Sequence, residues 1–127
     1  GRVLELIRLC KKWNKVKNAK TLPSYLLETM IINFADSQAE LSQWIDFRFK
    51  DALSYIAGHI LNPVYDMKGI QGDINNLGVG DKLRLQQKAL TDYNKACEAW
   101  QQEHAGNHKE AIKKWGEIFG SDFPTYG

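Results

Sequence analysis

Between Val3 and Phe119 the apolar residues of this chain recur at steps of three and four, and no stretch of any length alternates apolar and polar at a step of two. Steps of three and four place side chains on one face of an α-helix, whereas a half-buried strand needs a step of two. The pattern therefore predicts an all-α fold, a compact bundle of about five helices. Residues 3–17 put Val3, Leu6, Ile7, Cys10 and Trp13 on one helical face. Pro23 suits the first turn of a second helix, in which Leu26, Leu27, Met30, Ile31 and Phe34 form a nearly continuous apolar run, so that helix is expected at the centre. A third helix is expected from Ser37 to Ile60, with Leu41, Trp44, Ile45, Ala52, Leu53, Ile56 and Ile60 inward and its acids, Arg48 and Lys50 outward. Leu83, Leu90, Tyr93, Cys97 and Trp100 mark a fourth helix ending near His104, and Ala111, Ile112, Trp115, Ile118 and Phe119 a fifth, stopped by Gly120.

Between the third and fourth helices lies "NPVYDMKGIQGDINNLGVGD", residues 62–81, too irregular for either period and long for a compact domain. Its Asp66, Asp73 and Asn75 are expected to cap the glycine-rich backbone of the loop itself; the competing role is to meet the edge of a bound base. The 127 residues, 43% of them hydrophobic, suffice for one domain with its own core, residues 1–127. No run approaches the roughly 18 to 20 apolar residues of a membrane span, the basic start lacks the apolar region of a signal peptide, and the chain reads as cytoplasmic. Cys10 and Cys97, far apart on apolar helical faces, are expected to be two buried free thiols.

Charge is unevenly placed. Residues 1–20 carry seven cations against the single acid Glu5, a local balance of +6 that leaves the remaining residues at −4 within the chain's net +2. The catalytic patterns that would use such a field are absent. There is no standard glycine-rich phosphate loop, no Cys/His cluster at metal-ligand spacing, and no Gly-Ser element followed by paired carboxylates on a strand. His59, His104 and His108 are scattered, and "HAGNH" breaks the helix that would have aligned the last two. No metal and no complete catalytic site are expected within the chain.

Anion binding is the chemistry the opening residues suit. Arg8, Lys11 and Lys15 stand at i, i+3 and i+7, on one stripe of the first helix, bordered by Lys12. Ser24 and Tyr25 open the second helix, where unpaired N–H groups and the helix dipole favour an anion and a hydroxyl adds a donor. The Tyr25 ring would either stack on a base or pack into the core with its hydroxyl at the surface; the sequence alone leaves both open.

The strings "LIRLCKKWN" and "LPSYLLETMIINF", with the close "AIKKWGEIFGSDFPTYG", resemble the C-terminal helical lobe of the template-independent nucleotidyltransferases. That family includes the 2′-5′-oligoadenylate synthetases, cyclic GMP-AMP synthase and the bacterial CD-NTases. The resemblance implies the substrate-binding domain shared with poly(A) polymerase. It also implies phosphate contacts from Lys11 and Ser24, and a base stacked on Tyr25. Substrates would be nucleoside triphosphates, lying between this lobe and a catalytic lobe whose carboxylates hold two Mg²⁺ ions. Those carboxylates are absent from this chain, which looks like the second lobe of a longer protein making cyclic or linear oligonucleotide signals, in bacteria for antiphage defence. The competing expectation is a free-standing helical module that binds protein or nucleic acid through its basic first helix.

Overall fold

The computed structural model describes residues 1–16 and 21–120. They form five helices, α1 (Arg2–Asn14), α2 (Ser24–Ser37), α3 (Ile45–His59), α4 (Val79–His104) and α5 (His108–Phe119), with no strand among the described residues. The all-α expectation holds. The closing "SDFPTYG" lies outside the described residues, as do Lys17 and Lys20 of the basic segment.

α1 and α2 form an antiparallel pair. Asn14 clamps the connection between them, its amide N–H donating to the Leu22 carbonyl (2.8 Å) and its oxygen accepting from the Leu22 N–H (2.9 Å). The inward faces of both helices follow the expected spacing, with Leu6, Cys10, Trp13, Leu26, Leu27, Met30 and Ile31 at no more than 1% exposure. Burial pushes the Cys10 thiol well above the usual thiol range, so it stays protonated and inert.

The expected helix from Ser37 to Ile60 is two structures. α2 runs on to Ser37, Gln38 is extended at φ −96° and ψ 137°, and α3 starts only at Ile45. Arginine side chains take the carbonyls of the intervening turn: Arg2 Nη1 donates to Leu41 O (2.8 Å) and Arg48 Nη1 to Ser42 O (2.9 Å). Arg48, placed outside by the periodicity, is 3% exposed because it closes this turn and reaches Glu5 at 3.3 Å. Trp44, placed inside, sits before the first turn of α3 and is 65% exposed.

α4 packs between α3 and α5. Its inner face is Leu85, Ala89, Asp92, Ala96 and Ala99, a seam of steps four, three, four and three. The larger Leu83 and Leu90 point outward, and Tyr93, Cys97 and Trp100 are half-buried, so Cys97 is not the core thiol expected. Three alanines permit close approach of neighbouring helices, and packing distance, not side-chain size, sets the face.

The long loop ends three residues earlier than expected, because α4 begins at Val79. It is a closed cap. Asp73 Oδ1 accepts from the N–H groups of Val64 (2.9 Å) and Asn75 (2.8 Å), and these bonds hold its carboxyl below the usual carboxylate range. Asn75 Nδ2 donates to the carbonyls of Ile60 (2.7 Å) and Asn62 (2.9 Å), and Asp66 Oδ1 accepts from Ile70 N–H (3.2 Å). Self-capping is thus what these side chains do. Gly120 ends α5 at φ 76°, a left-handed conformation that favours glycine.

Candidate functional site

The corner where α1 ends and α2 begins is fixed from behind. Trp13 is fully buried and its indole N–H donates to Asp92 of α4 (2.7 Å), while Lys88 lies 4.7 Å above the indole ring. The Lys88 ammonium also donates to the Trp13 carbonyl (3.2 Å), one of the last carbonyls of α1, which accepts from the Val16 N–H as well (3.1 Å). With Asn14 holding Leu22, both sides of the corner are tied to the core before any ligand arrives.

On this frame α2 starts bare. Its N-cap is Pro23 and its first turn holds no acid, and among the described residues no side chain caps it, so the positive end of the helix dipole meets no acidic side chain of its own first turn. Ser24 and Tyr25 are both exposed, Tyr25 at 51%, while Leu26 and Leu27 turn fully inward. With its ring half-exposed, Tyr25 is a surface aromatic and is not packed into the core. Its carbonyl accepts from the Thr29 hydroxyl (2.8 Å), so the following turn is closed by a side chain as well as by the helix.

Lys11 faces this turn, paired with Glu28 of α2, the two side chains 41% and 40% exposed. Arg8 points elsewhere. With Lys12 it borders an open groove of about 570 Å³ on the other flank of α1, whose walls include Leu9, Ile45, Trp115 and Phe119 and whose rim carries Glu5 and Asp46. Lys15 follows the last residue of α1 and is exposed. The stripe of cations is therefore split: Lys11 meets the face of α2 that bears Tyr25 and Glu28, and Arg8 and Lys12 line the α5 side.

Glu28 was not among the residues singled out from sequence. The signal was present, because it stands three residues after Tyr25 and four after Ser24, but its contact with Lys11 requires the antiparallel pairing of α1 and α2. No sequence signal pairs Trp13 with Asp92, 79 positions apart. Among the described residues, no group of three or more His, Cys, Asp or Glu could hold a metal, and no helix is long and apolar enough to cross a membrane.

No protein-family profile matches the chain. A protein of Bacillus cereus described as a probable cyclic nucleotide synthase is 34% identical over 128 residues, a match that covers 99% of this chain. The chain spans 38% of that relative's length. The chain is thus homologous, from end to end, to part of a probable cyclic nucleotide synthase.

Proposed function

We propose that this chain is the nucleotide-binding helical lobe of a CD-NTase-like nucleotidyltransferase, which joins nucleoside triphosphates into cyclic or linear oligonucleotide signals in the cytoplasm as part of antiphage defence. One observation carries the reading. At a single corner the fold sets an accessible ammonium, Lys11, beside a helix whose uncapped start bears a serine hydroxyl and a half-exposed tyrosine ring. Phosphate, hydroxyl donor and base each have a matching partner there. End-to-end similarity to part of a probable cyclic nucleotide synthase supports the same reading.

In this account the lobe binds and orients. Lys11 neutralises phosphate charge, with Arg8 and Lys15 adding to the surrounding field, Ser24 and the leading amides of α2 donate to the phosphate oxygens, and Tyr25 stacks on the base. Two Mg²⁺ ions, held by carboxylates in the part of the longer protein outside this chain, would supply charge neutralisation at the reacting phosphate. What this chain contributes is the entropy of placement, holding one nucleotide so that a ribose hydroxyl and an α-phosphorus approach in the right geometry.

The test is a titration of the longer protein with non-hydrolysable ATP and GTP analogues. Lys11→Ala should raise Kd about 10- to 150-fold, the roughly 1.5 to 3 kcal/mol of a charged hydrogen bond, and should flatten the salt dependence. Lys113→Ala, on the exposed side of α5, should leave Kd unchanged. Equal effects from the two substitutions would reduce the site to a diffuse field and refute the reading.

A further inference from the structure

Resting on the nucleotide reading above, the geometry points to Glu28 as the residue that selects guanine at the base-stacking position. Glu28 follows Tyr25 by three residues on an α-helix, which puts it on the same face and about 4.5 Å further along the axis. A base lying flat on the Tyr25 ring would present its edge to that next turn.

The hydrogen-bonding character of the turn is one-sided. Thr29, also on this face, uses its hydroxyl proton on the Tyr25 carbonyl (2.8 Å), so only its lone pairs remain to be offered. Glu28, when ionised, has acceptors alone. The turn beyond Tyr25 therefore presents oxygen lone pairs and no side-chain donor. Guanine alone among the common bases shows two adjacent donors, N1–H and the 2-amino group, on its Watson–Crick edge. Adenine and cytosine each set one amino donor beside a bare ring nitrogen, and uracil flanks its single N–H with two carbonyls. Those bare acceptors would face the Glu28 carboxylate and be rejected.

The Lys11–Glu28 ion pair links this choice to phosphate binding. Both side chains are about four-tenths exposed, and a pair that open to water is held weakly. A triphosphate that takes Lys11 releases the Glu28 carboxylate in the turn where the base arrives. An empty site keeps both charges mutually satisfied, and an occupied one directs the ammonium to phosphate and the carboxylate to base.

The experiment measures binding of GTP, ITP and ATP to the longer protein, with and without Glu28→Gln and Glu28→Ala. The unmodified protein should bind GTP at least about 10-fold more tightly than ATP, with ITP between them because inosine keeps N1–H and lacks the 2-amino group. Both substitutions should bring the three affinities within about 3-fold of one another while triphosphate binding persists. Equal affinities in the unmodified protein, or a guanine preference that survives both substitutions, would overturn the role of Glu28 and leave the nucleotide site standing. Absence of binding by all three triphosphates would refute the nucleotide site itself, and the base selection with it.

Discussion

Trp13→Phe tests the frame that holds the α1–α2 corner. Trp13 is completely buried, and its N–H is within 2.7 Å of an Asp92 carboxylate oxygen that lies in an 8%-exposed residue. Phenylalanine keeps most of the ring volume and removes the donor, leaving a buried carboxylate oxygen without it. A hydrogen bond to a charged group contributes about 1.5 to 3 kcal/mol. The smaller ring adds up to about 1 kcal/mol of lost packing, for about 2 to 4 kcal/mol in all. For a domain of this size that is a fall of about 6 to 15 °C in Tm, read by a circular-dichroism melt of the chain. Asp92→Ala should cost a similar amount. The double variant should be more stable than the sum of the two losses predicts, by about 1.5 to 3 kcal/mol, because each single change already removes the same bond. Additivity within about 0.5 kcal/mol would refute the claim that this bond anchors the end of α1.

Two further outcomes follow from burial and charge. Tyr25→Ala should leave the melt of the chain within about 0.5 kcal/mol of the unmodified protein, since a half-exposed ring leaves no cavity, whereas a loss of about 3 to 5 kcal/mol would identify it as a core residue. Asp73, its carboxyl held below the ordinary value of 3.8, contributes to the loop above that value and loses its contribution as pH falls through its lower folded value. Protection of the Val64 and Asn75 amides against hydrogen exchange, taken relative to the intrinsic rate at each pH, should accordingly stay high at neutral pH and fall as the solution is acidified below about pH 4, and Asp73→Asn should remove that dependence. Unchanged protection through the acid range would contradict the capping role.

Helix number and type were readable because burial here follows large apolar side chains in α1, α2 and α5, where Leu6, Leu26, Ile31 and Ile118 face inward as their spacing requires. The misplacements have two causes, contacts that exist only in the folded chain and an inner helix face built from small residues. Arg48 is inside because the carbonyl of Ser42 and the carboxylate of Glu5 converge on it, and those partners exist only once α1 and α3 are packed. The face of α4 was misread because its seam is written in alanines and one aspartate, residues that carry little hydrophobic signal but allow close helix packing or satisfy an indole N–H. At the site, the place of Ser24 and Tyr25 at a helix start was legible after Pro23 and before the inward Leu26 and Leu27, whereas the exposure of the Tyr25 ring was left open by the sequence and is given by the fold. Convergence of Arg8 with Lys11 was not: three residues apart, they lie about 60° from each other around α1, and their separation follows from what packs beside them, Glu28 of α2 next to Lys11 and the groove walled by Ile45, Trp115 and Phe119 next to Arg8.

The most direct test of the central claim is a map of where a nucleoside triphosphate touches the molecule. In an NMR titration of the isotopically labelled chain with GTP, the account predicts saturable shifts concentrated at the amides of Lys11, Ser24, Tyr25 and Glu28, with the Tyr25 ring protons moving upfield as a base stacks on them. Shifts that instead gather along Arg84, Lys88 and Lys95 of α4, or that grow without saturating across all the cations, would contradict it.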